Sequence, residues 1–286
     1  MDRRSFLALA GLGAAGAGAV GGGVVSRSVG GEARPPGATA DVNLEQPLEP
    51  RTGVHRVIWS VETGVSQAAL TFDDGPDAAF TPRVLEILAD HGLHATFMMM
   101  GFNVAQEADL ARDVVAAGHE VGNHTWTHLN LLRETPQRQY EQIVRAHETI
   151  SEVTGQECAY FRPPRGQLTG ASLRHAAILG CDTLLWSVDR GAPGVSTPDA
   201  VADYAEVHLG PGDIIDLHDG IGRGAFDPDA EYAATARDRR EVEIEALPRI
   251  LQDAADRGLA LGTVSELLAT EIAPDRAGVD EGADEG

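Results

Sequence analysis

AALTFDDGPD, residues 68–77, is the stretch from which the fold is read. Ala68–Phe72 is an apolar run of strand length, and two adjacent acids, Asp73 and Asp74, close it. A Gly-Pro pair then breaks the run. Neighbouring side chains on a strand point to opposite faces, and like charges this close repel. The doublet is either a strand-end cap beside a structural acid or the start of a chemical site.

Outward from this stretch, short apolar runs alternate with helical patterns. The strands expected are Ala68–Asp73, Ala95–Met100, Glu120–Asn123, Ala159–Arg162, Thr183–Val188, Asp213–Leu217 and Leu259–Thr263. The helices expected are Thr81–His91, Glu107–Ala117, Pro136–Thr154, Gly170–Leu179, Pro198–His208 and Glu241–Arg257. Pro136–Thr154 carries Ile143, Ala146, His147 and Ile150 at the i, i+3, i+4, i+7 spacing of an amphipathic stripe. Repeated strand–helix alternation implies a parallel sheet, most simply closed into a (β/α) barrel of about seven strands. Such barrels collect their chemistry at the C-terminal strand ends. Residues 219–240 read as a long polar loop able to overhang that face.

The composition narrows the function. The 286 residues suffice for one sizeable core, and the formal charge is −22, with 44 acidic against 22 basic residues. All of the basic residues are arginine. This charge argues against a nucleic-acid partner, which needs a basic face, and is compatible with a bound cation. At the N-terminus, Arg3-Arg4 is followed by Ser-Phe-Leu and a Gly/Ala-rich apolar stretch, resembling a twin-arginine export signal with a small-residue cleavage site at Ala38-Thr39-Ala40. The alternative, a transmembrane anchor, is weakened by the many glycines. Residues 1–40 are therefore read as the signal, 41–56 as a linker, 57–271 as the catalytic domain and 272–286 as an acidic tail. The protein is expected to be secreted or associated with the cell envelope, with no stable membrane span after cleavage. Cys158 and Cys181 sit near successive strand starts, as a disulfide or as two reduced core thiols.

GNHTWTHLN, residues 122–130, is the second informative stretch. His124 and His128 are four apart, so a helical turn would place them on one face, the spacing of a two-histidine metal site. A carboxylate plus two imidazoles with open positions has the composition of a catalytic metal centre. FRPPRG, residues 161–166, supplies Arg162 at another strand end, and DLHDG, residues 216–220, supplies His218.

TFDDGP, HTWTH, FRPP and a late LHD, in this order, resemble the polysaccharide deacetylase family (NodB homology, carbohydrate esterase family 4) over roughly residues 55–270. The resemblance implies a distorted (β/α) barrel that removes N-acetyl, sometimes O-acetyl, groups from an acylated glycan. It implies a divalent metal, zinc first, with cobalt or another transition metal as alternatives. On matching positions it implies Asp74, His124 and His128 as ligands and Asp73 as general base. Arg162 would orient that base, and His218 would be the acid. Pro163, Pro164, Arg165, Trp186 and Leu217 would lie against the substrate.

The chain departs from the family pattern at three places. Arg165 stands where an aromatic is usual. WSVDRGAP keeps Asp189 but has Ala192-Pro193 where the family has Asp-Trp, whose acid supports the acid histidine. Asp216 replaces the usual apolar residue of the acyl pocket. Residues two apart on a strand share a face, so Asp216 and His218 are expected to point together into the site. Asp216 then either supports His218 in place of the lost acid or changes the acyl group accepted. His91, His94, His119 and His175 read as packing or surface residues and Trp126 as packing. Asp189 reads as a partner of Arg190 or Arg165, Asp219 as a loop cap, and Arg237–Arg240 as solvated. Two rivals follow: a hydrolase of the same fold cleaving a non-carbohydrate amide or an O-acetyl ester, and a glycan-binding protein with a degraded site.

Overall fold

The computed structural model describes residues 55–191 and 196–272. The signal and nearly all of the linker and tail, together with Ala192-Pro193, lie outside the described residues.

Among the described residues eight strands form one sheet: β1 (Val57–Ile58), β2 (Gln67–Asp73), β3 (Thr96–Met99), β4 (Glu120–Asn123), β5 (Tyr160–Phe161), β6 (Asp182–Leu184), β7 (Ile214–His218) and β8 (Ala260–Gly262). Their order is β1-β6-β5-β4-β3-β2-β7, with β8 also on β2. Every ladder is parallel. Beyond β6, Val188 bridges Ile215 of β7, and the Asp216 N–H donates to the Val188 carbonyl at 2.8 Å. That bridge joins the two sides of the sheet and gives the distorted (β/α) barrel expected. β2 is flanked by β3 and β7, so its C-terminal acids lie between His218 at the end of β7 and, one strand beyond β3, the histidines that follow β4.

Nine α-helices surround the sheet: α1 (Thr81–His91), α2 (Gly101–Gln106), α3 (Ala108–Ala116), α4 (Pro136–Thr154), α5 (Gly170–Leu179), α6 (Pro198–His208), α7 (Arg223–Phe226), α8 (Glu231–Asp256) and α9 (Val264–Leu268) among the described residues. Local chemistry explains their ends. Thr135 accepts the Arg138 N–H to start α4, Thr169 closes a capping box on α5, and Gly92, Gly155 and Gly180 end α1, α4 and α5 in the left-handed conformation. The stripe Ile143, Ala146, His147 and Ile150 is the buried face of α4. Phe72, Phe97, Phe161 and Leu88 lie in the core between sheet and helices.

Two expectations change, and the open alternative for the cysteines is decided. β1 is an additional strand, too short for a periodic signal. Residues 219–240 are not a free loop: α7 lies within them, and α8 begins at Glu231 rather than at Glu241. The cysteines are free, buried thiols, with Cys181 Sγ donating to the Cys158 carbonyl at 3.0 Å.

Candidate active site

At the end of β2 the two acids part because Asp74 takes a left-handed backbone, φ 77°. Its carbonyl accepts from Asn103 Nδ2 at 2.8 Å, and it packs against glycine on the other side. A Cβ at Gly220 would meet the Asp74 carbonyl oxygen at 2.2 Å, so only glycine fits there. Asp73 and Asp74 are both buried.

His124 follows β4 directly. His124 and His128 converge through an irregular loop, not through the helical turn expected, with left-handed Thr125 (φ 70°) and His128 (φ 53°). The Thr125 N–H donates to Asn123 Oδ1, and the His128 N–H to Thr125 Oγ1. These bonds turn both rings inward, with centroids 5.1 Å apart. His124 Nδ1 bonds the Arg162 carbonyl at 2.9 Å, so Nδ1 carries the hydrogen and Nε2 is left with its lone pair. His124 Nε2 lies 3.6 Å and His128 Nε2 3.5 Å from Asp74 Oδ1. Burial pushes His128 down to about 4, so this ring is neutral at pH 7. Asp74 Oδ1 is buried without a hydrogen-bond partner. Two imidazole lone pairs and one orphaned carboxylate oxygen form a donor set that fits a divalent cation with open positions.

The remaining groups face this set. Arg162, fully buried, donates from Nη1 to Asp73 Oδ1 (2.6 Å), Thr71 Oγ1 (2.9 Å) and Asp216 Oδ1 (3.1 Å), and from Nη2 to the Leu185 carbonyl (3.1 Å). The β2–β7 register pairs Asp73 with His218 and Thr71 with Asp216. One side-chain donor atom each from Asp73, Asp216 and His218 lies within 4.8 Å of the others. Burial and the Asp73 charge push Asp216 up to about 7. Pro163 and Pro164 are buried beside Arg162, exposed Arg165 turns through φ 62°, and Trp186 stands half-buried with the Arg162 guanidinium 5.6 Å from its ring centre. Leu217, by contrast, is 1% exposed and packs in the core, on the strand face opposite Asp216 and His218.

Two residues outside every motif complete the site. Glu243 of α8 accepts from His218 Nδ1 at 3.0 Å, and Arg240 reaches Asp74 Oδ2 at 3.0 Å. Arg240 is therefore buried, not solvated with Arg237. Burial and Arg240 both disfavour a charged His218, but Glu243 and Asp216 outweigh them and push it up to about 9. The hydrogen-bonded carboxylate on His218 is thus Glu243, while Asp216 acts on it only through its field. Asp189 takes the Gly191 N–H rather than an arginine, and Arg190 lies 3.5 Å from Glu243. Asp219 accepts from Thr81 Oγ1 at 2.6 Å, and its N–H donates to the Asp73 carbonyl. Spacing gave no sign of Arg240 or Glu243 beyond their i, i+3 relation on a helix that starts earlier than its apolar stripe.

Residues 60–184 match the family described as polysaccharide deacetylase. A peptidoglycan-N-acetylglucosamine deacetylase of Bacillus cereus is 34% identical over 230 residues, 79% of this chain and 97% of that one. A chitooligosaccharide deacetylase of Sinorhizobium fredii is 35% identical over 208 residues, 71% of this chain and 93% of that one. The family 4 carbohydrate esterase of Streptomyces lividans, solved in complex with acetate, superposes with a TM-score of 0.61 at 29% identity, over 75% of this chain and 100% of that one.

Proposed function

The chain belongs to the polysaccharide deacetylase family, and from that premise we propose that it is an exported, metal-dependent hydrolase removing N-acetyl groups from a cell-envelope or environmental glycan. The observation that carries the reading is the pairing of Asp73 with His218 across β2 and β7, directly beside Asp74, His124 and His128. Those last three residues would hold the divalent cation, zinc first. When bound, the cation supplies Lewis acidity toward the water nucleophile and the acyl carbonyl.

The chain's own residues move the protons. Arg162 occupies Asp73 Oδ1 and fixes that carboxylate, so Oδ2 is the oxygen placed to take a proton from the attacking water. His218, protonated at neutral pH, delivers its proton to the departing amine, which leaves more readily neutral than as an anion. Trp186 and the Pro163–Arg165 turn border the glycan. Arg3-Arg4 and the stretch after it support export of the folded protein by the twin-arginine route. Among the described residues no helix is long and apolar enough to cross a membrane.

Asp216 favours a second reading. An acid buried beside the base alters the acyl pocket, which suits an O-acetyl ester or a non-carbohydrate amide. The deciding experiment is acetate release by the metal-reconstituted protein from chitooligosaccharides, peptidoglycan, acetylated xylan and small amides, with Asp73→Asn as blank. Release from the first two supports the proposal. Release confined to xylan or small amides selects the second reading. No release above the blank, in protein that does not retain metal, selects a glycan-binding protein.

A further inference from the structure

We propose that Glu243, held by Arg240, is the positioning carboxylate of the acid His218, supplied by helix α8 and not by the loop after β6 or by Asp216. The inference rests on the deacetylase reading above.

Glu243 is 1% exposed, and burying a carboxylate is costly unless its oxygens are answered. Oε1 takes Arg240 Nη1 at 2.9 Å and lies 3.5 Å from Arg190 Nε. Oε2 is then left for one neighbour, His218 Nδ1, at 3.0 Å. A carboxylate oxygen only accepts, so Nδ1 carries the hydrogen, and Nε2 is the nitrogen free to exchange a proton with substrate.

Arg240 makes this placement rigid. Its Nε donates to the Gly220 carbonyl, its Nη1 to Glu243 and its Nη2 to Asp74 Oδ2. One guanidinium therefore ties α8 to the chain just after His218 and to Asp74, the acid just after β2. Gly220 is itself pressed against the Asp74 carbonyl, so the three elements cannot slide independently. Asp216 Oδ1 takes Arg162 Nη1 at 3.1 Å, whereas the hydrogen bond of His218 Nδ1 goes to Glu243. Arg240 and Glu243 stand i, i+3 on one helical face, the spacing that lets a single turn present both.

The test separates positioning of an acid from structural support by changing the leaving group. In the metal-loaded full chain, Glu243→Gln is expected to lower kcat on N-acetylated chitotetraose about 10²-fold, the scale of a positioned general acid, with little change in KM. On 4-nitrophenyl acetate, whose phenolate departs without a proton, the same variant is expected within about threefold of the parent. Equal losses on both substrates, or no loss on the amide, overturn the proposal. A second measurement needs no turnover and no stable Glu243 variant. Imidazole-selective proton–nitrogen spectra of the parent should show one downfield Nδ1 proton that disappears in His218→Gln. Its absence overturns the proposal whether or not the glycan is cleaved, while its presence in a chain that cleaves no N-acetyl glycan refutes only the deacetylase reading.

Discussion

Arg162→Met tests how the site tolerates its crowd of acids. Arg162 is fully buried and is the shared cation of Asp73 and Asp216. Methionine fills much of the stem volume but removes the guanidinium that both carboxylates share, leaving the His218 charge acting on Asp216. Removing one partner of a buried ion pair costs about 3–5 kcal/mol. For a fold of this size, 1 kcal/mol moves Tm by about 2–4 °C, so the variant should melt about 6–20 °C lower at pH 8. The pH dependence follows from Asp216. Its folded pKa is already raised to about 7, above the unfolded value of about 3.9. Folding therefore takes up a proton there, and stability present at low pH is lost as pH rises through 7. Without Arg162 the pKa rises further, so the deficit at pH 5 should be smaller than at pH 8. Thermal unfolding of chelator-treated protein at both pH values measures it, and adding Asp216→Asn to the variant should restore a large part of the pH 8 loss. A deficit below about 1 kcal/mol at pH 8, or one untouched by Asp216→Asn, refutes the shared-cation argument.

Two further perturbations probe other parts of the framework. Gly222 sits at φ 56°, ψ −133°, where a Cβ would lie 3.0 Å from Asp74 Oδ2, so Gly222→Ala should cost about 1–3 kcal/mol of stability and weaken binding of the divalent cation proposed at Asp74 about tenfold by calorimetry; an unchanged Kd contradicts the close packing on Asp74. His119 Nδ1 accepts the Ala95 N–H at 3.2 Å, and burial lowers the ring to about 4, so stability held above pH 6.5 is lost as pH falls toward 4, by up to about 3 kcal/mol. His119→Gln should flatten that part of the urea-midpoint profile, and a parallel profile counts against the neutral-ring assignment.

Much of the scaffold was legible because its signals are local. Helices α1, α4, α5 and α6 have the ends expected, since Pro82, Pro136 and Pro198 start three of them and Gly92, Gly155 and Gly180 stop three. The strand carrying Asp73 and Asp74 was equally plain, being an apolar run closed by a turn pair. What escaped lacks such a signal. Two residues of β1 have no period. The first turns of α8, EYAATARDRR, have no apolar stripe, because their buried residues are Ala233 and Arg240. The histidines meet by left-handed residues in a loop, which i, i+4 spacing alone does not distinguish from a helix. Glu243 lies 25 residues beyond His218, and nothing short of the packed fold brings the two together.

The charges of the site explain why these distant residues matter. Asp73, Asp74, Asp216 and Glu243 are buried together, and three arginines answer them: Arg162, Arg190 and Arg240. With all four acids ionised, one negative charge is left over. A protonated His218, bonded to Glu243, can cancel it, which is how a part-buried imidazole stays charged against its own desolvation. Asp74 keeps one oxygen on Arg240 and leaves the other without a partner between two neutral-capable imidazoles. The arginines thus give the acids different roles. Arg162 steadies the base, and Arg240 steadies both the carboxylate facing the histidine pair and the carboxylate behind the acid. The doublet that ends β2 is tolerable because its two members are answered by different arginines from different elements.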